Sequence, residues 1–167
     1  MKETDVHPWL VLRTKSRQEN IVENSLKKKQ INVFLPKHRQ IRIRKDRRKI
    51  LELPLFSGYI FVQPEPSQFE HLRCIPGSCG LVLTGSEPAK MPESDLESIR
   101  IMISSGAMLS VHEELIPGKK VEVLSGPFKG VQGELVQIRN KRRLLINAHV
   151  LGKSVDVEID PDQINVL

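Results

Sequence analysis

Cysteine, aromatic residues and long apolar runs are all scarce in this 167-residue chain. Two cysteines, Cys74 and Cys79, are too few for a disulfide framework or a zinc site, and they read as reduced thiols of a cytoplasmic protein. No stretch approaches the ~20 mostly apolar residues of a transmembrane helix. The opening MKETDVHPWLVLRTK is charged throughout, where a signal peptide would carry an apolar core, so no membrane partner is expected. Catalytic signatures are missing too: the chain has no GxxxxGK, GxGxxG, HExxH or GxSxG. His7, His38, His71, His112 and His149 are scattered without metal-ligand spacing. His71 lies near Cys74, but Leu72 and Ile75 beside them read as an ordinary helix. No enzyme activity, cofactor or metal is expected. Aromatics make up 4% of the chain, which makes the position of each one informative.

Positive charge, by contrast, is in surplus. The net charge is +6, from 26 Lys/Arg and 20 Asp/Glu. Residues 1–105 carry 18 basic and 12 acidic side chains, and residues 106–167 carry 8 of each. Arg13–Lys49 alone has 14 basic and 3 acidic. A surplus confined to one stretch points to nucleic acid or another polyanion; the alternative is a solvated face.

Trp9–Arg13 reads as a strand. Ser16-Arg17-Gln18-Glu19 fits a capping box, and Ile21, Val22 and Leu26, followed by Lys27-Lys28-Lys29, predict a helix over 17–29. After Val33-Phe34-Leu35-Pro36 comes KHRQIRIRKDRRKILEL. There Ile41 and Ile43 alternate with Arg42 and Arg44, and Ile50, Leu51 and Leu53 resume after Lys45-Asp46-Arg47-Arg48. That pattern predicts a β-hairpin with a basic tip and one basic face. Leu55–Val62 predicts a strand opened by a Ser57-Gly58 turn, 67–74 a short helix and 80–83 a further strand. Pro92, with Glu93 and Asp95, opens a helix whose apolar face is Leu96, Ile99, Met102 and Ile103.

Residues 106–117 read as a linker. Beyond it the pattern is strand-like, at about 119–125, 131–139, 143–150, 153–159 and 163–166, with turns at Gly126-Pro127, Asn140-Lys141 and Gly152-Lys153. Short strands at this spacing favour a small closed barrel, whose glycines permit sharp bends. The expected fold is therefore an α+β N-terminal domain over 1–105, an antiparallel sheet with flanking helices. The linker 106–117 and a small all-β barrel over 118–167 follow.

The order Gly118-Lys-Lys-Val121-Glu-Val123, Gly126-Pro127-Phe128-Lys129-Gly130 and Gly133-Glu-Leu135-Val136 closely resembles the KOW motif. That SH3-like barrel occurs in bacterial NusG-type transcription factors and in some ribosomal proteins. Trp9-Leu-Val-Leu, the helix after it, Leu55-Phe56-Ser-Gly58-Tyr59-Ile-Phe-Val62 and Ile75-Pro-Gly-Ser-Cys-Gly80 resemble the NGN domain of the NusG family. The resemblance runs over about residues 8–167, in the family's order.

It implies a transcription elongation factor that binds RNA polymerase at the clamp helices of the largest subunit, suppresses pausing and modulates termination, here as an antiterminator. Trp9, Phe56, Tyr59 and Phe61 match the polymerase-binding positions. Scarce aromatics on a few strands also suit a binding hot spot, the alternative for each being the core. His71 and Arg73 match a second polymerase contact. Arg42, Arg44, Arg47 and Arg48 are expected to meet the backbone of upstream or non-template DNA, with strongly salt-dependent affinity. In the KOW domain, Phe128, Val150 and Leu151 are the expected partner-binding positions, for a small-subunit ribosomal protein.

Leu151 stands where housekeeping members usually carry Phe, which puts Rho as a partner in question. Ser57 stands where Pro is usual, and the chain is short between its first helix and the hairpin. These departures point to a specialised RfaH-like paralogue. The alternative is a housekeeping NusG-type factor that couples transcription to translation or to Rho. A ribosomal RNA-binding KOW protein would use Arg139-Asn-Lys-Arg-Arg143 but leaves the N-terminal domain unexplained. A monomer is expected. So is a barrel rather than the helical hairpin with which RfaH masks its polymerase site, because alternation and Gly-Pro turns govern residues 120–160.

Overall fold

The structure, a computed structural model, describes residues 7–113 and 118–167. Residues 1–6 and 114–117, the end of the expected linker, lie outside the described residues. Along the chain run β1 (Trp9–Thr14), α1 (Glu19–Lys28), β2 (Asn32–Phe34), β3 (Lys37–Arg44), β4 (Arg47–Pro54), β5 (Tyr59–Gln63), α2 (Phe69–Arg73) and β6 (Ser78–Leu81). They continue with β7 (Leu83–Thr84), β8 (Glu87–Pro88), β9 (Lys90–Met91), α3 (Glu93–Ser104), β10 (Ser110–Glu113), β11 (Lys119–Val123), β12 (Gln132–Ile138), β13 (Lys141–Ala148), β14 (Lys153–Glu158) and β15 (Ile164–Val166). Among the described residues no helix is long and apolar enough to cross a membrane. By contact the chain forms two compact units: the part up to Leu35 with Phe56–Glu93, and Pro36–Leu55 with Ser94–Leu167.

The first unit is built on an antiparallel sheet in the order β2-β5-β1-β6, with β9 also paired to β1. Trp9, Leu10, Val11 and Leu12 are all buried, so β1 is a strand covered on both faces, which explains its continuous apolar run. The register sets Leu12 against Ile60 and Val11 against Phe61. On one face Leu10, Leu12, Ile60 and Val62 pack with Val22 and Leu26 of α1 and Leu72 of α2.

Two local expectations change here. α1 begins at Glu19 behind Gln18, with no side-chain cap, and Arg17 takes a positive φ of 61°. The expected capping box is therefore not formed. The Glu19 carboxylate instead accepts a hydrogen bond from the Gly58 N–H at 2.9 Å. The strand expected from Leu55 begins at Tyr59, because Leu55 and Phe56 precede the turn.

In the second unit β3 and β4 form a two-stranded sheet of their own. They are joined at Lys45-Asp46, whose φ values of 38° and 65° suit the two-residue hairpin turn that matches strand twist. α3 buries Leu96, Ile99 and Met102. The remaining strands form an antiparallel sheet in the order β10-β14-β13-β12-β11-β15, with Val121, Val123, Phe128, Val131, Leu144, Leu145 and Val155 in its core. A Cβ at Gly133 would lie 2.5 Å from the Leu145 carbonyl oxygen, so only glycine lets β12 approach β13 this closely.

The five strands expected after residue 118 are present, in the barrel form. The expected linker contributes a sixth: β10 pairs with β14, Val111 against Val155. It is held by a Lys153–Glu113 ion pair of 2.6 Å and by His112 Nε2, 2.8 Å from Oδ1 of the fully buried Asp156.

Candidate functional site

The register of β3 and β4 sorts the basic hairpin into two faces. Arg42 lies opposite Lys49 and Arg44 opposite Arg47, whereas Ile41 lies opposite Ile50 and Ile43 opposite Arg48. Side chains alternate along a strand, so Arg42, Arg44, Arg47 and Lys49 share one face. They line an open concavity of about 910 Å³ with Lys45 and Leu51. The opposite face carries Ile41, Ile43 and Ile50, which are 43%, 78% and 62% exposed, together with Arg48. Three of the four arginines expected to meet DNA are thus brought together. Arg48 is placed on the other side, and Lys49 joins the group unexpectedly. Counting outward from the two-residue turn Lys45-Asp46 is the signal that would have found Lys49.

Like charges directly opposite one another in a sheet are mutually destabilising. Among the described residues, none of Arg42, Arg44, Arg47, Arg48 and Lys49 has an ion-pair partner. The concave face is therefore an uncompensated cationic surface, suited to successive phosphates. At the base of the hairpin, burial lowers the pKa of His38.

The second candidate region is the turn Phe56-Ser57-Gly58-Tyr59. The Tyr59 N–H donates to the Phe56 carbonyl at 3.2 Å, and Gly58 has φ +83°. Positive φ at the third position of a four-residue turn is what glycine there supplies. Trp9, Phe56 and Phe61 are 8%, 3% and 0% exposed. Phe61 stacks on Phe34 at 6.3 Å between centroids and meets Phe56 edge-on at 6.0 Å. Of the four aromatics named from the sequence, three are core residues here, and Tyr59 is half-buried beside the exposed Ser57.

His71 and Arg73 are exposed on α2, either side of the buried Leu72. In the barrel, Phe128 is buried in the core. Val150 and Leu151 are half-buried in a 3-10 turn, His149–Leu151, between β13 and β14. The basic loop after β12 turns at Arg139-Asn140, where φ is 50° and 64°, one residue earlier than expected. Its Arg143 is bonded to Asp156, and its Lys141 lies 3.7 Å from Glu158. Asp95 and His149 line a cavity of about 240 Å³ with Lys120 and Asn147. Burial raises the Asp95 pKa there, and the His149 charge opposes that rise. Among the described residues no three His, Cys, Asp or Glu side chains gather as a metal site.

Comparison with known proteins agrees with this architecture. A family described as transcription termination factor nusG matches residues 7–100, and the KOW motif matches residues 117–151. The chain is similar to the transcription termination/antitermination protein NusG of Staphylococcus epidermidis, with 26% identity over 99% of each chain. It is equally similar to that of Staphylococcus carnosus, with the same identity and coverage. Among solved structures, one described as domain interaction in Thermotoga maritima NusG shares the fold. Its TM-score is 0.53 at 18% identity, over 96% of this chain and 97% of that one.

Proposed function

This chain belongs to the NusG family of transcription factors, and from that membership we propose that it binds RNA polymerase during elongation, suppresses pausing and acts against termination. The turn around Tyr59 meets the clamp helices of the largest subunit, with His71 and Arg73 of α2 as the second polymerase contact. The concave face of the hairpin lies along the backbone of upstream or non-template DNA. The observation that carries the reading is that face: four cations held together by strand register, with no ion-pair partner among the described residues, in a chain of this family. The barrel recruits a further protein through the turn containing Val150 and Leu151, a small-subunit ribosomal protein being the partner that fits the family. Leu151 in that turn supports a specialised, operon-dedicated role over a housekeeping one.

The test is binding of the full chain to a bacterial RNA polymerase elongation complex, with and without upstream duplex, across a salt series. Removing a central aromatic anchor costs at least ~2 kcal/mol at a hot spot, so Tyr59→Ala is expected to weaken binding by about thirtyfold. Omitting the upstream duplex is expected to flatten the salt dependence. If the wild-type chain does not bind at all, the reading is wrong.

A further inference from the structure

Two carboxylates are buried among the described residues, Asp156 and Glu19. Asp156 answers Arg143 and His112. Glu19, 5% exposed, answers no cation among the described residues. It sits in the first turn of α1, where the helix N-terminus favours negative charge. From there its Oε1 accepts the Gly58 N–H across 39 residues of sequence.

The next peptide is held as well, because the Gly58 carbonyl accepts the Thr14 N–H of β1 at 2.8 Å. With the bond between Tyr59 N–H and the Phe56 carbonyl, three hydrogen bonds define the turn. Little else does. Ser57 occupies the second position, where proline would preset φ, and Gly58 is the residue with the widest conformational choice.

We propose that Glu19 is a positioning residue for the polymerase-facing turn. Its carboxylate fixes the Gly58 amide and so the direction in which Tyr59 leaves the turn, which makes affinity for polymerase depend on a side chain that need not touch it. The proposal rests on the reading of Tyr59 given above. A hydrogen bond to an ionised acceptor is stronger than a neutral one. Without it the turn spreads over competing conformations, and apparent affinity falls with the fraction that remains competent.

The experiment uses the full chain and four variants: Glu19→Ala, Glu19→Asp, Glu19→Gln and Val22→Ala. Asp keeps the charge at the helix terminus but is one methylene too short to reach Gly58. Gln keeps the reach and an accepting oxygen. Val22, fully buried on the same helix, is a control for lost stability. Affinity for the elongation complex, the Gly58 and Tyr59 amide shifts and exchange rates, and the urea midpoint are read together.

Glu19→Ala and Glu19→Asp are expected to bind about tenfold more weakly, the worth of one charge-assisted hydrogen bond. Both should show faster exchange at Gly58, while Glu19→Gln, which keeps the reach but offers a neutral and weaker acceptor, falls between them and wild type. Val22→Ala should lose as much stability yet bind normally. Wild-type affinity in Glu19→Asp overturns the proposal, and so does equal weakening in Val22→Ala. If Glu19→Ala fails to fold, the Asp and Gln pair still decides. Failure of the wild-type chain to bind removes the Tyr59 reading itself, and this proposal with it.

Discussion

The chain contains two β-hairpins of nearly the same construction. β3–β4 turns at Lys45-Asp46 and β12–β13 at Arg139-Asn140, each pair with positive φ, and both hairpins are rich in Lys and Arg near their tips. Their charges are handled in opposite ways. In β12–β13, Arg143 is bonded to the buried Asp156 and Lys141 faces Glu158, while Leu144, Leu145 and Ile146 are buried. In β3–β4, cation lies opposite cation, and the isoleucines behind them are exposed. One hairpin gives Arg143 and Lys141 carboxylate partners in the barrel and leaves Arg139 and Arg142 exposed; the other leaves Arg42, Arg44, Arg47, Arg48 and Lys49 without an ion-pair partner among the described residues. Basic residues in a hairpin therefore say little until the register shows what faces them.

The contrast can be broken experimentally, and the largest effect is expected in the barrel. Arg143→Ala leaves a fully buried carboxylate short of its main partner, and breaking a buried pair in this way costs about 3 kcal/mol. Urea denaturation should show it. A loss no greater than that of an ordinary surface change would mean that the two hairpins do not differ.

Arg42→Ala with Lys49→Ala should do the reverse. Stability holds or rises by a few tenths of a kcal/mol as like-charge repulsion is relieved. Affinity for duplex DNA falls, and the slope of log affinity against log salt shrinks by about 2. Arg48→Ala, on the other face, should change that slope less; an equal change would dissolve the division into faces.

The smallest effect separates the base of the ribbon from its tip. Burial lowers the His38 pKa below its ordinary 6.5, so the unfolded chain takes up the proton first. The His38 contribution to stability is then complete above pH 6.5 and lost as pH falls through the lower, folded value. Thermal unfolding at pH 7.5 and 5.5 should show the drop in wild type and a smaller one in His38→Gln.

Much of this was legible in the sequence. The barrel strands announced themselves by alternation and by Gly-Pro turns. The helix around Val22 and Leu26 showed its spacing, and the hairpin its interleaved isoleucines and arginines. What escaped depended on distant partners. Glu19 stands where a capping box wants its acid, and nothing local reveals that Gly58 claims the carboxylate. Trp9 and Phe61 lie on strands covered on both faces, so alternation could not separate core from surface. β10 is only four residues long, too short for a period, and exists through its pairing with β14. Lys49 could have been found, because a two-residue turn dictates which residues face each other.

The hairpin β3–β4 is also a sheet of just two strands, and among the described residues no third strand pairs with either outer edge. Open edges beside exposed isoleucines are a template on which copies of a chain can stack. Repulsion between the arginine faces of two molecules works against that association. The same side chains would then keep the free protein in solution, and a version stripped of all of them would be expected to precipitate before its binding could be measured.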